Sequence, residues 1–242
     1  VAGLRDTRAM RPIPTFALLL AFALASLGPA RAEPPALAEI VLVRHGHYDA
    51  DPKAEETLGP GLSPIGVAQA RLAGARLRGE VPFDAVLVSP MQRARDTAAS
   101  IGLEMPDARF TVVEDLRECT PPTRRTEVTA EETPEALAAC KAQLDRVFAR
   151  YFKPADGGDR RRLLVCHGNV IRYLVTRALG VDGTAWLEMS VGHASITRIR
   201  VEADGRYKVI AVGDVGHLAP TLRTGASGDA TRSLAIPALS ER

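Results

Sequence analysis

Cysteine is scarce in this 242-residue chain: three residues, at positions 119, 140 and 166. Their spacing fits no zinc motif, and an odd number cannot be fully paired within the chain, so a disulfide-dense scaffold is excluded. Cys140 and Cys166 read as small buried side chains. Histidine is sparse too, with five residues and no helical H-x-x-x-H pair, and Asp and Glu do not cluster at ligand spacing. No metal and no cofactor is therefore expected. Aromatic residues make up 5% of the chain, and its one tryptophan, Trp186, is simplest as core. A clustered basic face of the kind that grips nucleic acid is missing. The densest runs, Arg124-Arg125 and Arg160-Arg161-Arg162, read as solvated loops.

Long apolar runs are also lacking. The longest, Phe16 to Leu27, falls short of the roughly 20 residues needed to span a bilayer. It follows Arg5, Arg8 and Arg11 and precedes Gly28-Pro29-Ala30-Arg31-Ala32, so residues 1–32 read as a secretory signal peptide, with an uncleaved anchor as the weaker option. Export is the corresponding expectation, periplasmic or secreted, without stable membrane contact after cleavage. The formal charge of +2 belongs to this segment, because its four Arg and one Asp leave −1 for the remainder.

What is present is an alternation of two periods. Ile40–Val43, Phe83–Val88, Thr111–Val113 and Leu163–Cys166 are short apolar runs of the kind buried on both faces of a sheet. Between them lie helical stretches. One is capped by Ser63-Pro64 and runs to Arg78, with Ile65, Ala68, Leu72, Ala75 and Leu77 on its apolar face. Others are Met91–Ile101, a helix from Thr133-Pro134 to Phe152 with Leu137, Leu144, Val147 and Phe148 inward, and Val170–Leu179 stopped by Gly180. Ser195–Val201 and Tyr207–Val212 form a hairpin across Asp204-Gly205. The pattern predicts a three-layer α/β/α fold with a mostly parallel sheet over residues 33–219. From 220 to 242 the chain is Gly/Ser/Thr/Ala-rich and reads as a mobile tail.

In such sheets ligands bind beyond the carboxyl ends of the strands. Three of those ends carry Arg44-His45-Gly46, Ser89 and His167-Gly168-Asn169. Arg44 offers a planar fork matched to phosphate, Gly46 lets backbone approach an anion, and a neutral His45 can attack phosphorus. Arg93, in the first turn of a helix, reaches the same pocket, whereas Arg95 should be solvated. His167 can donate to a phosphoryl oxygen. His47 is a candidate rim residue; His193 and His217 read as structural, with His217 a minor candidate for the mouth.

Four ordered motifs, Arg44-His45-Gly46, Leu62-Ser63-Pro64-x-Gly66-x-x-Gln69-Ala70, Ser89-Pro90-x-x-Arg93-Ala94-x-x-Thr97 and His167-Gly168-Asn169, resemble the histidine phosphatase, or phosphoglycerate-mutase-like, superfamily. Asp115-Leu116-Arg117-Glu118, Cys166 to Tyr173, Arg177-Ala178-Leu179, Ser195-Ile196-Thr197 and Gly213-Asp214-Val215-Gly216 are similar to its branch of mitochondrial protein serine/threonine phosphatases. The chain departs from that branch in its signal-like N-terminus. The resemblance implies phosphomonoester hydrolysis through a phosphohistidine: His45 phosphorylated, Arg44, Arg93 and His167 holding phosphoryl oxygens with Gly46 and Asn169 beside them, and Glu118 as general acid. A disulfide or oxidation at Cys119 would then act on its neighbour Glu118. The expected partner is a phosphorylated protein or small molecule. A phosphoglycerate mutase and a noncatalytic phosphate-binding module are the alternatives. Neither the substrate nor the oligomeric state is legible, and the loops 48–61 and 120–132 are too short to imply a dedicated cap.

Overall fold

The computed structural model describes residues 2–3, 36–80 and 82–225. Most of the expected signal segment and most of the expected tail lie outside these residues. A compact unit begins at Ala36. Its centre is a six-stranded sheet in the order β3-β2-β4-β1-β5-β6, formed by β1 (Ala38–Arg44), β2 (Ala85–Val88), β3 (Phe110–Val112), β4 (Arg160–Cys166), β5 (Ile196–Val201) and β6 (Tyr207–Asp214). The first four strands in that order pair in parallel, and β5 and β6 add an antiparallel edge. The expected hairpin is there, with Gly205 at φ +84° in its turn, a left-handed conformation that glycine adopts without a Cβ clash.

Both faces of the sheet are covered, which is why its central strands read as continuous apolar runs. Ile40, Leu42 and Leu164 point into one core with Leu144, Val147 and Phe148 of α3 (Pro134–Tyr151) and Ile171 and Leu174 of α4 (Gly168–Leu179). Val41, Val43, Leu163 and Val165 point into the other, with Leu77 of α1 (Pro64–Arg78) and Ala94, Ala98 and Ile101 of α2 (Gln92–Glu104). The helix starts and one stop behave as their chemistry predicts. Ser63 Oγ accepts from Gly66 N at 3.2 Å, Thr133 Oγ1 from Ala136 N at 3.1 Å, and Gly180 closes α4 in the left-handed region.

Four expectations need correction. The buried face of α1 is Gly66, Gln69, Ala70, Ala73, Gly74 and Leu77, while Ile65 and Leu72 are exposed. Small residues serve there because backbone packs on backbone: a Cβ on Gly74 would stand 3.0 Å from the Ile101 Cα. The run Arg160–Arg162 is strand, not loop. Its register against β1 places Arg161 beside Glu39, with which it pairs at 2.6 Å, and Arg161 also reaches Glu80 at 2.8 Å. Residues 220–225 do not form a tail. They return to the site, where Gln69 Nε2 donates to the Leu222 carbonyl at 2.6 Å and the His193 N–H to the Thr224 carbonyl at 2.9 Å. Finally, Cys140 is buried as expected but is bonded to Cys119. Cys166 is the free, buried thiol, and burial raises its pKa far above the ordinary value.

Candidate active site

Parallel pairing brings the critical strand ends together. β4 lies between β1 and β2, with Arg44 opposite Cys166 and Val88 opposite Val165, so His45, His167 and Ser89 each begin just past adjacent strand ends. Adjacent strands stand about 4.8 Å apart, and the rings of His45 and His167 accordingly sit 5.1 Å apart. Both are almost wholly buried.

The tautomer of His45 follows from its contacts. Nδ1 lies 2.8 Å from the Gly46 carbonyl, an acceptor only, so Nδ1 carries the hydrogen. Nε2 keeps its lone pair and accepts from Arg93 Nε at 3.2 Å. Burial, and then the neighbouring His167, Arg44 and Arg93, hold the His45 pKa well below the usual range. The ring is therefore neutral and nucleophilic at physiological pH. His167 reaches the same tautomer through a different partner. Ser89 Oγ accepts from the Met91 N–H at 3.3 Å and lies 2.7 Å from His167 Nε2, to which its hydroxyl can donate. With the hydroxyl donating, the hydrogen stands on Nδ1, a buried atom with no partner among the described residues and free to donate to an oxyanion.

Two guanidinium groups flank these rings, and a third lies beside Glu118. Arg93 is buried in the first turn of α2 and stacks on Tyr48, 5.0 Å from its ring centroid, while Arg95 is exposed as expected. Arg44 donates to the Val191 and Gly225 carbonyls at 2.7 and 2.8 Å and lies 3.1 Å from His193 Nε2. Burial lowers its pKa to about 10, which leaves it charged. Arg172 of α4 has a buried Nε without a partner among the described residues, and its Nη1 donates to Asn169 Oδ1 at 3.4 Å.

Glu118 completes the site from the loop after β3. Its Oε1 accepts from the Asn169 N–H at 3.3 Å, and its buried Oε2 has no partner among the described residues. Burial raises its pKa to about 7, against the opposing pull of the Asn169 N–H, Arg44, Arg93 and Arg172. A carboxyl poised there exists in both forms at neutral pH, as an acid that later becomes a base requires.

Two expected phosphate-side residues do other work in this arrangement. The Gly46 N–H is taken by Thr97 Oγ1 at 3.0 Å, and a Cβ on Gly46 would meet the Gly66 carbonyl oxygen at 2.5 Å. Packing against α1 thus by itself requires glycine here. Asn169 spends its Nδ2 on the Cys119 carbonyl at 3.3 Å and so fixes the Glu118 loop. Conversely, His193, expected to be structural, lies in the site, with its ring 5.4 Å from that of His45 and its pKa lowered by burial to about 3. Tyr48 and Arg172 also face the site, and no local sequence signal marks either. Arg172 falls within a recognised segment, but its inward direction depends on how α4 is seated. His47 is tied to Ser63 Oγ at 2.8 Å, and His217 to the Ala194 carbonyl at 3.0 Å. Among the described residues no group of three or more His, Cys, Asp or Glu side chains is placed to hold a metal ion.

The model of the histidine phosphatase superfamily (branch 1) matches residues 40–214. The chain is 34% identical over 190 residues to the Caenorhabditis elegans protein named serine/threonine-protein phosphatase Pgam5, mitochondrial, and 33% identical over 187 residues to its human namesake. Each alignment covers 75% of this chain and 64% of the relative, so the chain spans just under two thirds of the length of these proteins. Among solved structures it is similar to a Plasmodium falciparum phosphoglycerate mutase, with a TM-score of 0.54 and 27% identity over 76% of this chain and 95% of the other. The alpha-ribazole phosphatase of Shigella flexneri shares the fold, with a TM-score of 0.56 at 18% identity over 73% and 96% of the two chains.

Proposed function

Since the chain belongs to the histidine phosphatase superfamily, we propose that it hydrolyses phosphomonoesters through a phosphohistidine at His45, without a metal. The observation that carries this reading is the state of His45: neutral, hydrogen on Nδ1, lone pair on Nε2 directed at a guanidinium. An incoming phosphate would draw Arg93 to its oxygens and release that lone pair for attack. Arg44 and His167 Nδ1 would share the charge on the equatorial oxygens, and Glu118 would protonate the departing oxygen. In the second half, Glu118 as carboxylate would take a proton from water as it attacks the phosphohistidine. Covalent catalysis divides one difficult displacement into two easier ones.

A phosphoserine or phosphothreonine protein is the substrate class we propose, in keeping with the names of the Pgam5 relatives. Export to an oxidising compartment is the proposed location. It is supported by the signal-like residues 1–32 and by the Cys119–Cys140 disulfide, a bond that persists outside reducing cytoplasm.

Rapid quenching with a labelled aryl phosphate should trap a phosphoenzyme that is stable in alkali and labile in acid, lost in His45→Ala, and formed in the presence of EDTA. A strict metal requirement, or turnover by His45→Ala at the wild-type rate, would sink the proposal. Interconversion of phosphoglycerates with negligible ester hydrolysis would point to the mutase alternative.

A further inference from the structure

We propose that the Cys119–Cys140 disulfide is a positioning device for Glu118, so that two-electron reduction uncouples leaving-group protonation from phosphoryl transfer. This rests on the phosphohistidine reading above.

The two halves of the site are anchored differently. His45, His167 and Ser89 continue directly from paired strands, and Arg93 sits in a helix packed on the sheet. Glu118 belongs to neither kind of element. It follows a short 3-10 turn, Glu114–Leu116, and the next turn, Thr126–Val128, begins eight residues later, so its loop takes its position from side-chain ties. On the N-terminal side, Gln143 Nε2 of α3 donates to the Asp115 and Arg117 carbonyls at 3.1 and 2.8 Å, and Leu116 is buried. On the C-terminal side, the residue next to Glu118 is bonded covalently to Cys140, one turn before Gln143 on the same face of α3. The remaining tie at Cys119 is a 3.3 Å hydrogen bond from Asn169 to its carbonyl. Further along, Trp186 Nε1 holds the Pro122 carbonyl at 3.0 Å.

Reduction would leave Glu118 held from the Arg117 side, but on the other side by the two 3.3 Å hydrogen bonds from Asn169 alone, with the next anchor at Pro122. The chemistry balances simply. A dithiol attacks Cys119 sulfur, which is partly exposed where Cys140 is buried, and Cys140 leaves as a thiolate. Resolution of the mixed disulfide yields two protein thiols and one oxidised dithiol. His45 and its arginines are not attached to this loop, so attack on phosphorus should survive. A displacement of about 1 Å in an acid is enough to lose much of its contribution, which is typically 10²- to 10⁴-fold.

The test compares kcat/KM, which reports steps through leaving-group departure, for 4-nitrophenyl phosphate and for an alkyl phosphate such as a phosphoserine peptide. Oxidised full chain, chain reduced with dithiothreitol, reoxidised chain and the Cys119→Ser/Cys140→Ser double variant are measured, with thiols counted by alkylation and mass spectrometry. The expected result is an alkyl kcat/KM reduced at least tenfold in the reduced chain and in the double variant, an aryl kcat/KM within about twofold of the oxidised chain, and recovery on reoxidation. Equal loss for both esters, no loss with both thiols demonstrably free, or no recovery on reoxidation each overturns the proposal. If the double variant does not fold, the reversible reduction of wild type decides alone. Failure of the oxidised chain to form a phosphohistidine would instead reject the parent reading, a result separate from any response to reductant.

Discussion

Replacing Glu118 with Gln should make the protein more stable above neutral pH while removing its acid. In the folded chain this carboxyl has a pKa raised to about 7, against an ordinary value of 4.5. Below pH 4.5 both folded and unfolded states hold the proton and nothing is lost. Between the two values the unfolded chain gives up its proton while the folded chain retains it, so stability falls as pH rises. Above about pH 7 the loss is complete. At about 1.4 kcal/mol per pH unit the interval corresponds to about 3 kcal/mol, and partial solvent contact of the residue trims this to about 2–3 kcal/mol. Gln carries no such titration. The stability of Glu118→Gln minus that of wild type, from urea unfolding followed by circular dichroism, should therefore grow by about 2–3 kcal/mol between pH 4.5 and 8.5. Contributions from His45, His167 and His193 occur in both proteins and cancel in the difference. The same variant should lose at least about 10²-fold in kcat/KM for alkyl phosphates and far less for aryl phosphates. A stability difference that stays flat across that pH range would show that Glu118 is not held in a desolvating site, and would refute the account of its raised pKa.

Four further outcomes follow from other contacts. Alkyl ester hydrolysis by wild type should decline as pH rises through about 7, where Glu118 loses its proton, whereas aryl hydrolysis should decline less; a pH–kcat/KM profile for each ester checks this. Gly66→Ala places a Cβ against the His47 carbonyl oxygen and backbone, and should cost about 2 kcal/mol or more with loss of activity, measured by urea unfolding and 4-nitrophenyl phosphate turnover. Thr97→Val removes the acceptor of the Gly46 N–H and leaves a buried donor unpaired, at about 1–3 kcal/mol by the same unfolding assay. Ser89→Ala removes the hydroxyl that orients His167 through Nε2, and should lower kcat about tenfold with KM little changed in steady-state assays.

Much of this architecture was readable because its elements follow local rules. Ile40–Val43 of β1 and Leu163–Cys166 of β4 are buried on both faces and so appear as unbroken apolar runs, and Ser63, Thr133 and Gly180 mark helix ends by their own chemistry. Errors arose where long-range packing overrides local pattern. The apolar residues of α1 suggested a stripe through Ile65 and Leu72, but the helix presses its Gly and Ala face against α2, and a stripe of small residues carries little hydrophobic signal. Arg160–Arg162 has the composition of a solvated loop, yet Glu39 and Glu80 lie within reach once β4 is in register, a fact invisible to any local window.

The site divides along the same line. His45, Arg44, Arg93 and His167 sit at or just past regular elements, so the strand–loop–helix pattern alone brings them together. His193, Tyr48 and the Asn169 link to Cys119 depend on how irregular segments fold back, and no spacing announces them. Glu118 stands between these classes: its motif was visible, but its support was not. That support comes from α3, through residues 22 and 25 positions away, and from α4, 51 positions away. An acid built this way can be tuned separately from the nucleophile, since each hangs on a different part of the fold. Variants at Gln143 should therefore alter the dependence on leaving group before they alter phosphoenzyme formation, whereas variants in β1 or β4 should alter both together.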